Sequence, residues 1–442
     1  MFADRSTTTR RSKIAPLLSA LLALALALPG AAASSQKDQK KRKAAADPNA
    51  SLPKRANFDI SKIVWPNPPS IARVKFVEQL TGEKIDFNSP VNKPKKPKQG
   101  WMDRLAGAKP QADTIQDLPF QLMRTYGLAF DSTGNIYAAD QAVGAIFIFS
   151  PDPAKKFEVK MIRNSKEAHF GLINGLVIDD NDRLFVSDDK LHKVIVINAQ
   201  HQQESSFGAD VLVRPGGMAI DMENRFLYVV DTGNDVVDVF DADTYKLLRK
   251  IGTPGKKHLL TDPGNFALPT NVAVDKEGNV YVTDTLNNRV EIFDADGGFV
   301  RAFGKNGDGP GQFARPKGIA IDRDGHIWVV DAMQQRVQVF DTEGRLLIYF
   351  GQPGDWPGQF SAPYDIAIDP KSNLVVTSEH FPARVQVFRY VTDAEAAAEK
   401  ARREVQPTSS TPNPVEAPAQ SSPGGAPRKS DASVKARPTG AS

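Results

Sequence analysis

Between about residue 124 and residue 390, apolar and polar positions alternate in short runs, and the runs recur as a set. Six segments open alike, with a turn followed by an apolar stretch that closes on Asp: RTYGLAFD (124–131), LINGLVID (172–179), RPGGMAID (214–221), LPTNVAVD (268–275), RPKGIAID (315–322) and APYDIAID (362–369). The closing Asp falls at 131, 179, 221, 275, 322 and 369, and the last two intervals are both 47 residues. In the fifth unit, alternating runs at 318–321, 326–330, 336–340 and 346–350 are separated by Asp322-Arg323-Asp324-Gly325 and Asp341-Thr342-Glu343-Gly344, both tight-turn sequences. A period of two places successive side chains on opposite faces of a strand. Several short strands per unit at a fixed spacing predict a propeller blade. The expected fold is therefore all-β: a six-bladed β-propeller of four-stranded antiparallel blades.

The sixth unit supplies strands at 365–368, 374–377 and 384–390, and then the chain turns helical and polar from Asp393. It lacks an outermost strand. A run with the right alternation lies upstream at 71–80, and it is expected to complete the last blade as an N-terminal closing strand, because an open edge leaves unpaired backbone groups. The remaining divisions are a basic disordered arm (34–62), a lead-in and closing strand (63–84), a basic linker with a short helix at 101–106 that could serve as a lid (85–123), and a short helix (394–404) running into a disordered Pro/Ser/Ala-rich tail (391–442 together).

Composition adds two constraints. The chain has no cysteine, which excludes disulfides, thiolate metal sites and a Cys nucleophile. Charge is uneven: residues 34–110 hold 17 Lys/Arg against 7 Asp/Glu while the whole chain is only +4, so a basic arm precedes a mildly acidic body. Arg5, Arg10, Arg11 and Lys13, an apolar run at 14–28 and Ala31-Ala32-Ala33 read as a signal peptide (1–33) cleaved after Ala33. Export to a periplasmic or extracellular space is the expectation, with a retained single-span anchor as the alternative.

GDGPGQFARPKGIAID (307–322) and DTLNNRVEIF (284–293) resemble the repeat of NHL propellers, and Ile63-Val64-Trp65-Pro66 is similar to the lead-in of exported bacterial members. The resemblance implies a six-bladed ring over roughly 270 residues and is silent on function, since such propellers serve as protein- and RNA-binding platforms, lyases and sensors. By the same analogy, exported electron-transfer proteins are conceivable partners.

Candidate chemistry concentrates on the face where the innermost strands begin, because the opposite face carries tight, uniform turns. Arg124, Arg214 and Arg315 open the innermost strand in alternate blades and could present guanidiniums to an anion. Trp356, Tyr364, His380 and Phe381 place aromatic residues on the sixth-blade sector. Asp140, Asp188, Asp231, Asp284 and Asp331 end the second strand of blades one to five, with Ser378 in their place in the sixth and Glu379 beside it. They are read as caps of loop N–H groups rather than a metal ring, with Lys193, Arg289, Arg336 and Arg384 as charge partners. The histidines share no repeat position and are read as isolated surface groups.

The first expectation is a monomeric, non-enzymatic binding module for a protein, peptide or envelope ligand. It uses no cofactor, has no nucleic-acid partner, and is not integral to a membrane once the signal is cleaved. The alternative is a metal-assisted lyase or hydrolase at the channel mouth, with a divalent ion held by His169, Asn174, Asn271 and Asp365.

Overall fold

A computed structural model describes residues 59–82, 120–151, 159–163, 169–253 and 262–405. The signal peptide, most of the basic arm and linker, the 101–106 helix, His258 and the tail beyond 405 lie outside the described residues. Six antiparallel sheets form the fold, five of them four-stranded and the sixth five-stranded. It is a six-bladed β-propeller. The innermost strands are Thr125–Phe130, Ile173–Ile178, Pro215–Asp221, Pro269–Val274, Pro316–Ile321 and Pro363–Asp369. Each neighbours the next, and the sixth returns to the first.

Every blade is built from local hairpins, so most of its ladder is specified by adjacent sequence. In the fifth, Pro316–Ile321, Ile327–Asp331, Arg336–Phe340 and Leu346–Phe350 pair in order. The two inner hairpin strands are apolar on both faces because each blade is covered on both sides by its neighbours. Six apolar clusters fill the six spaces between adjacent blades. The outermost strands alternate, as in Leu346–Phe350, with one face to solvent.

The sixth sheet runs Pro363–Asp369, Leu374–His380, Ala383–Tyr390 and then Val74–Leu80, followed by the two-residue strand Val64–Trp65. Val74 pairs with Tyr390 and Leu80 with Val385. Phe76 sits edge-on to Phe388 at 5.7 Å, and Trp65 lies 5.3 Å from Phe350. Sequence separation here exceeds 300 residues, and the pairing joins the two ends of the ring. A helix, Asp393–Val405, follows directly. No helix among the described residues is long and apolar enough to cross a membrane.

Candidate functional site at the channel mouth

Each innermost strand carries a register shift just after its first residue, which breaks the ladder and turns the second and third positions toward the central channel. The second positions are Tyr126, Asn174, Gly216, Thr270, Lys317 and Tyr364, and the third are Gly127, Gly175, Gly217, Asn271, Gly318 and Asp365. Four glycines recur at the third position because the strands crowd there. A Cβ on Gly127 would stand 2.5 Å from the carbonyl oxygen of Asn174, and one on Gly318 would stand 2.7 Å from Cα of Asp365. The two exceptions meet each other: Asn271 Nδ2 donates to Asp365 Oδ1 at 2.6 Å, and the Leu128 N–H donates to Oδ2 at 3.0 Å. This pair spans the channel. Beside it lies a cavity of about 40 Å³ lined in part by Gly175, Gly217 and Met218, room for a water molecule. On the far side the channel is lined by aliphatic residues such as Leu176, Val272 and Ile319, with a volume of about 480 Å³.

Beside the Asn271–Asp365 pair, three aromatic rings pack together. Tyr364 and His380 lie 4.5 Å apart between centroids, Tyr126 and His380 4.2 Å, and Tyr126 and Tyr364 4.6 Å. The Tyr364 hydroxyl donates to Asn174 Oδ1 at 3.0 Å across the first blade. Lys317 Nζ stands 5.3 Å from the Tyr364 ring centre, and the Arg124 guanidinium lies 5.8 Å from that of Tyr126, both within range of a cation–π attraction. The backbone beneath is fixed: His380 N–H donates to Ala362 O at 3.1 Å, and Thr125 Oγ1 donates to Glu379 O at 2.7 Å.

Burial pushes His380, Lys317, Asp365, Tyr364 and Tyr126 toward their neutral forms. The His380 imidazole is driven down to about 4, first by burial and then by the positive charges of Arg124 and Lys317. Its Nε2 is buried and has no hydrogen-bond partner. Burial, helped by Arg315, lowers Lys317 to about 8. Burial raises Asp365 to about 7 against the opposing effect of its hydrogen bonds, and it raises Tyr364 and Tyr126 as well. A neutral imidazole, a lysine of lowered basicity and a protonatable carboxyl thus share one small volume.

Of the residues anticipated from the sequence, Tyr364, His380, Asn174, Asn271, Asp365 and Arg124 come together here. Arg315 is exposed on the rim, and Arg214 is paired with Asp189 at 3.5 Å, so no symmetric trio of free guanidiniums forms. Trp356 and Phe381, 58 % and 77 % exposed, stand on the outer surface of the sixth-blade sector. Of the residues anticipated as metal ligands, Asn174, Asn271 and Asp365 lie together at the mouth. His169 is exposed, and its N–H is directed at Gln203 on the outermost strand of the second blade. Each carboxylate oxygen of Asp365 and the amide oxygen of Asn174 accepts one of the hydrogen bonds named above, and among the described residues no three His, Cys, Asp or Glu side chains converge.

The recurring acids lie away from the channel, fully buried. Asp331 accepts from the N–H groups of Ala314, Arg315, Met333 and Gln334 at 2.8–3.1 Å. Asp140, Asp188, Asp231 and Asp284 accept likewise from the loop that leads into their own blade. Arg289 adds an ion pair to Asp284 at 2.9 Å, whereas Arg336 turns to the Asp308 carbonyl and Lys193 to Ser206. In the sixth blade the equivalent position is Glu379, not Ser378: Glu379 pairs with Pro363 as Asp331 pairs with Pro316. The cause is the turn between the first two strands, closed from Asp369 to Asn373 where the fifth blade closes from Asp322 to Gly325. Glu379 accepts from Ser361 N–H at 2.7 Å and pairs with the buried Arg384 at 2.7 Å. His326 also departs from the surface reading, since it is mostly buried and 3.0 Å from Asp322.

Tyr126 and Lys317 were not anticipated. The signal was present, because aligning the six innermost strands places them at the same position as Tyr364.

Comparison with known proteins follows this geometry. Residues 261–344 match a family described as a 6-bladed beta-propeller. Over 108 residues the chain is 34 % identical to a probable peptidyl-alpha-hydroxyglycine alpha-amidating lyase of Caenorhabditis elegans, covering 24 % of this chain and 29 % of that protein. The chain thus matches less than a third of the relative's length. Among solved structures, a gluconolactonase of Xanthomonas campestris is 14 % identical, with 71 % of this chain and 97 % of that one covered at a TM-score of 0.47. A virginiamycin B lyase of Staphylococcus aureus is 12 % identical, with coverages of 61 % and 96 % and a TM-score of 0.44. These two likenesses carry no argument about chemistry.

Proposed function

We propose that the protein is a lyase or hydrolase acting on a small carboxylate-bearing substrate at the channel mouth, with Arg124 and Lys317 holding the anion and His380 accepting a proton. The observation that carries this reading is His380 itself: a neutral imidazole with an unpartnered Nε2, stacked on Tyr364 and packed against Tyr126, whose protonated form is disfavoured by burial and by two cations. Groups displaced this far from their ordinary titration, gathered at a cleft, mark functional sites more often than structural ones. A carboxylate arriving beside Arg124 and Lys317 offsets the repulsion that adds to burial in keeping His380 neutral, so binding itself raises its basicity. The stretch of likeness to a protein named as an amidating lyase of α-hydroxyglycine peptides, which end in a carboxylate, supports an enzyme over the pure binding module the sequence first suggested. Export, and a protein or peptide partner in the cell envelope, stand as further parts of this proposal and rest on the N-terminal sequence alone.

The test offers a peptide ending in α-hydroxyglycine and measures release of the peptide amide by chromatography. Turnover by the wild-type chain that falls about 100-fold or more in His380→Asn is expected, the usual range for loss of a general base. Equal turnover in both proteins, or neither turnover nor a thermal shift with carboxylate ligands, overturns the proposal.

A further inference from the structure

We infer that Lys317 is a carbonyl-reactive amine and that the channel mouth takes small oxo acids, whose aldehyde or ketone carbon condenses with Lys317 Nζ while Arg124 or Arg315 holds the carboxylate. The inference rests on the site reading above, names its substrate class, and leaves the carboxylate to an arginine once Lys317 has lost its proton. Among the described residues the Lys317 ammonium has neither a carboxylate partner nor a hydrogen-bond acceptor, only the face of Tyr364 at 5.3 Å. Lys250, Lys276 and Lys371 are engaged by Asp238, Glu277 and the Ser132 carbonyl. Other described lysines that lack such a partner, among them Lys75, Lys160, Lys190, Lys246, Lys305 and Lys400, are exposed, whereas Lys317 is half-buried. The Lys317 backbone is pinned, since Thr283 Oγ1 donates to its carbonyl at 2.7 Å and Gly318 abuts Asp365. The root of the side chain is therefore fixed on the channel wall, and the Tyr364 ring is the contact that places its amine. Arg315, two residues earlier on the rim, supplies positive charge without neutralising it.

The chemistry balances without a co-reactant. The amine lone pair adds to the carbonyl carbon, and the nitrogen proton passes to the oxygen. The carbinolamine then loses its hydroxyl with one proton as water, leaving a carbon–nitrogen double bond. His380, stacked on the same Tyr364 ring, is placed to relay protons. At pH 7.5 a lysine titrating at about 8 is roughly one-quarter free amine, against about one-thousandth for an ordinary one. Lower basicity also lowers intrinsic nucleophilicity, by about tenfold if amines follow the slope known for thiols, so the net advantage is roughly tenfold or somewhat more.

The experiment treats the full chain with glyoxylate and cyanoborohydride at pH 7.5 and maps the reduced adduct by peptide mass spectrometry. Carboxymethylation of Lys317 about tenfold faster than of Lys276 or Lys371 is expected, with glyoxylate outpacing acetaldehyde and the label lost in Lys317→Arg. Labelling of Lys317 no faster than of Lys276 overturns the inference, as does equal reaction with acetaldehyde, which has no carboxylate. The two proposals fail separately. Selective labelling of Lys317 without peptide turnover removes the lyase reading and leaves the amine. Turnover that survives Lys317→Arg but not His380→Asn removes the amine from the reaction and leaves the His380 site.

Discussion

Replacing Asp331 with Asn tests whether the recurring acids are structural caps, and its cost can be worked from the contacts. The carboxylate is fully buried: Oδ1 accepts from Arg315, Met333 and Gln334, and Oδ2 accepts from Ala314 at 2.8 Å. An amide keeps one oxygen for the first three donors but turns an NH₂ toward the Ala314 N–H. One charge-assisted bond is lost, a buried donor is orphaned, and the surviving bonds weaken as the charge goes. Summing an orphaned donor at about 1–3 kcal/mol with the weakened bonds gives about 3 kcal/mol in all. For a domain of about 300 residues that lowers Tm by roughly 5 °C. Urea unfolding followed by tryptophan fluorescence reads the difference directly. A loss under about 0.5 kcal/mol, the range of ordinary surface changes, refutes the capping account.

Further expectations follow from the same geometry. Phe76→Ala removes a side chain only 6 % exposed from the closing strand and should cost about 3–5 kcal/mol in chemical unfolding, while Val77→Ala on the same strand, 38 % exposed, should cost about 0.5 kcal/mol or less; equal effects would mean that the strand does not hold the ring. Lys317→Met should raise stability near pH 7. The folded-state titration lies below the unfolded one, so the penalty is full below about 8 and disappears as pH rises toward 10.5; a gain independent of pH across that window would contradict it. Stability should also fall as pH drops from 6.5 toward about 4, where the unfolded state protonates His380 and the folded state does not. His380→Asn should flatten that slope when unfolding is measured at several pH values.

Much of the fold was legible because a blade is a chain of local hairpins. The turn Asp322-Arg323-Asp324-Gly325 and the alternation around it fix one hairpin, and repetition fixes the rest. The closing strand was legible for a different reason, since the sixth unit was one strand short and Val74 to Leu80 had the matching alternation. The site was less legible. Tyr364, His380 and Asp365 could be named, but Tyr126 and Lys317 occupy a position that sequence alternation assigns to a strand face and that the register shift turns toward the channel instead. Glu379 was displaced by one residue because a longer turn precedes it, a length difference that motif matching absorbs without notice. The Arg124, Arg214 and Arg315 trio looked symmetric because sequence does not show that Asp189 lies beside Arg214.

The central claim is that burial and two neighbouring cations keep His380 neutral until an anion enters the mouth. Titration of its ring nitrogens by ¹⁵N NMR, with and without a saturating carboxylate ligand, addresses this most directly. The account predicts a midpoint of about 4 in the free protein and a clear upward shift when the ligand is bound. A midpoint near the ordinary 6.5, unmoved by the ligand, would contradict it.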